Sequence, residues 1–203
     1  LMIRNIVFDI GNVLVDYCWQ DHIAHYGFKG EKADRIAHAM MLGPDWKELD
    51  RGVLGGEEFR RLLIGKAPEL EQEIRLLMSD LSTLVRRREG SIPWIQDLKA
   101  RGYRTYYLSN YGEQVRRDTA DSLDFMKEMN GGIMSYEVHQ IKPDAEIFRT
   151  LLERYGLKAE ESIFLDDTKI NVDAALGVGM QGLLVESQEQ AIRDLNAFLT
   201  QKN

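Results

Sequence analysis

The sequence predicts an α/β fold built on a parallel sheet, and three observations carry that expectation. The 203-residue chain opens with a short apolar, β-branched run, Ile3 to Phe8 (IRNIVF), stopped by Asp9, Gly11 and Asn12. From about residue 89 onward, strand-like and helix-like segments alternate, as in a sheet covered by helices on both faces. Between these stretches lie about seventy residues of helical periodicity, too long for an ordinary crossover and therefore expected to form an inserted helical unit.

In chain order, the first strand is expected over 3–8. The insertion, residues 16–88, repeats apolar positions at helical spacing in EKADRIAHAMML, EEFRRLLIGKA and ELEQEIRLLMSDLSTLV, separated by GPD and GVLGG. Four helices and no strand are expected there. The third stretch reads as helix 92–100, strand 104–108, helix 112–123 and strand 133–135, then helix 144–155, strand 162–165, helix 170–176, strand 182–185 and helix 188–199. The division that follows is a core of residues 1–15 and 89–203 around an inserted unit of 16–88, joined by hinges near 15–17 and 86–91.

Composition narrows the function. Hydrophobic residues make up 44% and charged residues 29%, with 4 Pro and 17 Gly, which is globular and neither disordered nor collagenous. A net charge of −7 repels nucleic-acid backbones and anionic lipid, so neither partner is expected and an anionic ligand must be held by local donors. One cysteine, Cys18, excludes an internal disulfide and a Cys-rich zinc site and fits a reducing compartment. The first apolar run carries Arg4 and Asp9 and is too short to span a bilayer; a cytoplasmic protein is expected, with Leu1 as an addition ahead of a natural start at Met2.

In an open parallel sheet, ligands collect outside the carboxyl ends of the strands. Those ends carry Asp9 (FDIGNV), Ser109 and Asn110 (LSN), and Asp166 and Asp167 (FLDD), with Lys142 (IKPD) ahead of a helix. Converging carboxylates repel unless a cation offsets them, and oxygen donors without His or Cys select a hard ion, Mg²⁺ first. An ion beside a lysine suits a phosphate, with Ser109 and Asn110 orienting its oxygens and one carboxylate free to attack phosphorus.

These segments, FDIGNVLV, LSN, IKP and FLDDTKIN in that order, resemble the four motifs of the haloacid dehalogenase (HAD) superfamily over essentially the whole chain. The resemblance implies a three-layer, Rossmann-like parallel-sheet core with an inserted four-helix-bundle cap. It implies an Mg²⁺-dependent phosphatase acting on a small phosphorylated metabolite through an aspartyl-phosphate. Asp9 is then nucleophile and metal ligand, Asp167 a metal ligand supported by Asp166, and Gly11 a ligand through its carbonyl. Ser109, Asn110 and Lys142 hold the phosphate, Lys142 also acting in catalysis.

Phosphatases of the superfamily usually carry a second aspartate two residues after the nucleophile, as general acid and base. Here that residue is Gly11. The loss of such a group costs ~10²–10⁴-fold in rate, about 3–5 kcal/mol of barrier, unless something replaces it. One explanation is a substrate needing little protonation: a sugar 1-phosphate departs as a hemiacetal oxygen, more acidic than a primary alcohol. The run FDIGNVLVD and a Trp-bearing cap resemble the branch of bacterial α-D-glucose-1-phosphate phosphatases, which also have glycine there. A second explanation is another acid, for which Asp16, His22, His25 and Asp50 are candidates. A third is carbon–halogen displacement, as in the L-2-haloacid dehalogenases, which the Asp166–Asp167 pair opposes by repelling a haloacid. A phosphate-binding module without turnover is opposed by Asp9 itself, whose charge disfavours the anion.

Other positions have bland readings. Asn171 either orients Asp167 or sits in a first helical turn, and Asn12 stabilises the turn after Asp9. Gly11 is read as a turn residue with positive φ. Tyr17, Trp19 and Trp46 are read as packing, Arg51 as a helix-end residue or a substrate contact, and Cys18 as inert. Asp173, His139 and the Arg86–Arg88 run are read as solvated surface.

Overall fold

The opening apolar run forms β1 (Asn5–Phe8), with all four residues buried. Side chains alternate across a strand, so Ile6 and Phe8 pack into a layer with Trp94, Ile95 and Leu195, while Val7 packs oppositely with Phe148 and Phe164. The computed structural model describes residues 2–202, so Leu1 lies outside it.

After β1 come β2 (Val15–Tyr17), α1 (Trp19–His25), α2 (Gly30–Ala39), α3 (Trp46–Arg51), α4 (Gly56–Lys66), α5 (Glu71–Leu77) and β3 (Val85–Arg87). Five α-helices and two strands therefore occupy the stretch read as four helices. The helices α1 and α3 span only 7 and 6 residues and the strands 3 each, too short to print a period in the sequence. The two expected hinges are not independent: β2 and β3 pair antiparallel, Val15 opposite Arg87 and Tyr17 opposite Val85.

The remainder alternates as expected: α6 (Ser91–Ala100), β4 (Arg104–Ser109), α7 (Glu113–Asp118), β5 (Gly131–Met134), α8 (Ser135–Val138), α9 (Ala145–Tyr155), β6 (Ser162–Asp166), α10 (Lys169–Gly177), β7 (Gln181–Leu184) and α11 (Gln188–Lys202). The helix expected over 112–123 stops at Asp118 and gives way to a 3₁₀ segment, Ala120–Glu128. Thr119 marks the break, its hydroxyl bonded to the Val115 carbonyl and to the Tyr111 hydroxyl.

Five strands form one parallel sheet in the order β5-β4-β1-β6-β7. The register pairs Phe8 with Tyr107 on one side and with Leu165 on the other, so Asp9, Ser109 and Asp166 emerge at one rim. Helices on both faces complete a three-layer Rossmann-like α/β core. The apolar layer under Ile6 and Phe8 runs on into the inserted helices through Ile36, Met40, Phe59 and Ile74. Among the described residues no helix is long and apolar enough to cross a membrane.

Candidate active site

Asp9 leaves β1 into the rim and is 7% exposed. Its Oδ1 accepts a hydrogen bond from Ser109 Oγ at 2.8 Å and lies 2.8 Å from Lys142 Nζ. The same ammonium reaches Asp166 Oδ2 at 2.6 Å and lies over the Phe164 ring, so it is shared by two buried carboxylates. Burial pushes Asp9 up to about 6; Lys142 opposes that rise and the Asp166 charge adds to it. Burial works to lower the Lys142 pKa, yet Asp9 and Asp166 together hold it above its ordinary value.

Asp166 is wholly buried and fully engaged, accepting from the Thr168 N–H at 2.8 Å and from Asn171 Nδ2 at both oxygens. Asn171 thus serves Asp166, not Asp167 as one reading had it. Asn12 Nδ2 donates to Asp167 Oδ2 at 3.0 Å. The reading of Gly11 as the positive-φ residue is corrected: Asn12 takes that conformation, at φ 56°, and so turns its amide toward Asp167. A Cβ at Gly11 would meet nothing within 4 Å.

The Asn110 side chain, expected on the phosphate, exchanges two hydrogen bonds with the Lys142 backbone, at 3.0 and 2.8 Å, and so fixes where that lysine starts. The Arg86–Arg88 run is not merely solvated. Arg88 bonds Asp16 at 2.7 Å and the Asn12 carbonyl at 2.9 Å, while Arg87 pairs with Asp124 at 2.9 Å. Asp173 pairs with Lys169 on the surface, and His139 bonds the Arg51 carbonyl. Cys18 is buried with its thiol pushed up by burial, consistent with an inert role.

A cavity of about 290 Å³ opens over this rim. Its walls include Asp9, Gly11, Ser109, Asn110, Lys142 and Asp167 from the core, and Tyr17, Trp46 and Asp50 from β2 and α3. Trp46 also packs edge-on against Phe59, so its packing role and its wall role coexist. Tyr17 was read as packing, but its buried hydroxyl has no hydrogen-bond partner among the described residues. Burial, with the Asp50 charge nearby, raises the pKa of that hydroxyl, which therefore stays neutral.

Asp9, Asp166 and Asp167 offer carboxylate oxygens within 4.8 Å of one another, a donor set that fits a hard divalent cation such as Mg²⁺. One carboxylate of that set, Asp9, carries a lysine and a serine on the same oxygen, an arrangement suited to a phosphoryl-transfer hydrolase.

Residues 3–179 match the haloacid dehalogenase-like hydrolases, and the chain belongs to that family. It is 26% identical to D-ribitol-5-phosphate phosphatase of Bacteroides thetaiotaomicron, over 98% of this chain and 99% of that protein. It is also 26% identical to flavin mononucleotide hydrolase 1 of Arabidopsis thaliana, over 94% of this chain and 76% of that one. A Bacteroides thetaiotaomicron HAD family enzyme, solved with magnesium and inorganic phosphate, superposes with a TM-score of 0.72 at 21% identity, covering 91% of this chain and 95% of that one. The protein is thus a HAD hydrolase equipped for phosphatase chemistry with Mg²⁺ as cofactor.

Proposed function

We propose that this enzyme is an Mg²⁺-dependent phosphomonoester hydrolase for a small phosphorylated metabolite, a sugar phosphate of the hexose 1-phosphate type. The observation that carries the reading is Asp9 on the cavity wall, its Oδ1 held by Ser109 and Lys142 next to two further carboxylates. The two curated relatives, named for a sugar-alcohol phosphate and for flavin mononucleotide, support the broader part of this reading, a small phosphorylated metabolite, and not its anomeric part.

In this reading residues 1–15 and 89–203 are the catalytic core and 16–88 the cap. Asp9 attacks phosphorus while Lys142 and Ser109 hold the phosphoryl oxygens, and Asn110 keeps Lys142 in line. Asp9, Asp167 and the Gly11 carbonyl, with Asp166 in support, would hold Mg²⁺, which would supply charge neutralisation for those oxygens. The cap excludes water from the reacting centre during attack. The rings of Tyr17 and Trp46 supply apolar wall for the sugar. An anomeric oxygen leaves with little help, which suits a site with glycine at position 11.

The test is phosphate release over a panel of sugar phosphates, nucleotides, flavin mononucleotide and pyridoxal phosphate, with and without Mg²⁺. Hexose 1-phosphates turning over faster than the matching 6-phosphates is the expected result. Faster 6-phosphates would remove the anomeric reading, and chloride release from 2-chloropropionate without metal would replace the phosphatase reading.

A further inference from the structure

We propose that Asp50, carried on α3, is the acid–base residue of this site: it takes a proton from the water that attacks the phosphorylated Asp9 and gives it to the departing oxygen of the next ester. The proposal rests on the phosphatase reading above. Its basis is a third carboxylate on the cavity wall that neither nucleophilic attack nor metal binding uses. The other acids able to stand in for the residue missing at Gly11 point elsewhere. Asp16 pairs with Arg88, His22 is buried between Thr83 and the Leu77 carbonyl, and His25 is exposed against Tyr26.

The end of α3 is fastened to the core in a way that holds this carboxylate over the rim. Ser135 Oγ donates to the Asp50 carbonyl, His139 bonds the Arg51 carbonyl at 3.0 Å, and the Gly112 N–H donates to the Asp50 carboxylate. Two glycines permit the approach. A Cβ on Gly52, which closes the helix at φ 71°, would meet Tyr136 at 2.6 Å, and one on Gly112 would meet Leu49 at 2.8 Å.

The charged and titratable groups facing Asp50 are Lys142, Asp9, Tyr17 and Tyr111. Burial pushes Asp50 up to about 7, against Lys142 and with Asp9 adding to the rise. A carboxyl poised near neutrality can serve as acid in one step and base in the next.

In the first half-reaction Asp9 forms its O–P bond as the ester P–O bond breaks, and the departing oxygen takes the Asp50 proton. In the second, the water oxygen bonds to phosphorus, its proton passes to Asp50, and the P–O bond to Asp9 breaks, releasing inorganic phosphate. A hemiacetal leaving group lightens the first demand. The second is the same for every ester, and there Asp50 counts most.

The experiment is burst kinetics with p-nitrophenyl phosphate, whose leaving group needs no acid, on the Mg²⁺-loaded wild type and on Asp50→Asn. That variant keeps the side-chain size and an acceptor for the Gly112 N–H. Asp50→Asn is expected to release about one equivalent of nitrophenolate and then turn over ~10²–10⁴-fold more slowly. Adding Gly11→Asp, which enters open space, is expected to return at least about a tenfold share of the lost rate. A steady rate for Asp50→Asn within about threefold of wild type overturns the assignment and leaves the phosphatase reading intact. A wild type with no Mg²⁺-dependent phosphate release from any ester ends both. Should the variant not fold, the wild type decides: kcat at saturating ester is expected to rise with pH through one ionisation near neutrality. A kcat flat from about pH 5 to 9 overturns the proposal.

Discussion

Asn171 fastens Asp166 by both of its carboxylate oxygens, at 3.2 and 3.1 Å. Asp166 in turn carries Lys142, so the amide sets the charge balance of the site without facing the phosphate itself. Asn171→Ala removes bonds to a buried ionised group, a loss of about 1.5–3 kcal/mol, and Asn171→Asp adds a like charge at the same spot. Urea unfolding should rank wild type above Asn171→Ala, with Asn171→Asp lowest. An Asn171→Asp protein as stable as wild type would deny the pairing its importance.

Asp9→Asn separates turnover from binding. The variant should lose phosphatase activity and the nitrophenolate burst, while calorimetric titration with inorganic phosphate should give equal or tighter affinity than wild type, because the charge opposing the anion is gone. Residual turnover above about one per cent would place the nucleophile elsewhere.

Metal removal follows from the donor set. EDTA should abolish activity and Mg²⁺ restore it, since Asp9, Asp166 and Asp167 hold three negative charges against the single ammonium of Lys142. Full activity after exhaustive chelation would contradict the role given to Asp167.

Acid and base titration carry a signed prediction for the metal-free protein. Asp9 ionises near 6 when folded against 3.8 in the open chain, so its contribution to stability is full below about pH 4 and is lost as pH rises through 6. Two pH units correspond to ~3 kcal/mol. Comparing wild type with Asp9→Asn cancels His22, whose lowered pKa works the other way, and leaves Asp9 together with its share of the rise at Asp50. The wild type should lose ground to the variant between about pH 4 and 7, and Mg²⁺ should reverse the loss. A pH-independent difference would refute it.

Gly52→Ala tests the seat of α3. A methyl group there is strained at positive φ and strikes the Tyr136 backbone and Cβ, so a destabilisation of about 1–3 kcal/mol is expected with a fall in kcat larger than any change in KM. Unchanged melting and turnover would mean that α3 moves freely.

The rim was legible in the sequence because parallel strands bring their ends to one side: Asp9, Ser109 and Asp166 each follow an apolar run, and that rule needs no tertiary detail. What orients them was not. The Asn171–Asp166 and Asn110–Lys142 bonds join residues whose separation in the chain carries no pattern, and the Arg88–Asp16 pair depends on two strands of three residues each. Asp50 stood among four acids of equal merit, because its approach depends on Gly52 and Gly112 fitting against Tyr136 and Leu49, a matter of shape rather than periodicity.

Asn12 has a consequence beyond the turn it makes. Its carbonyl accepts from Arg88, its Oδ1 from the Tyr17 N–H, and its amide donates to Asp167. One residue therefore couples the stalk of the inserted helices to a carboxylate of the cation cluster. Were that stalk to swing so that the Asn12–Asp167 bond broke, ion affinity would change with it, and by thermodynamic reciprocity ion occupancy would bias the swing by an equal factor.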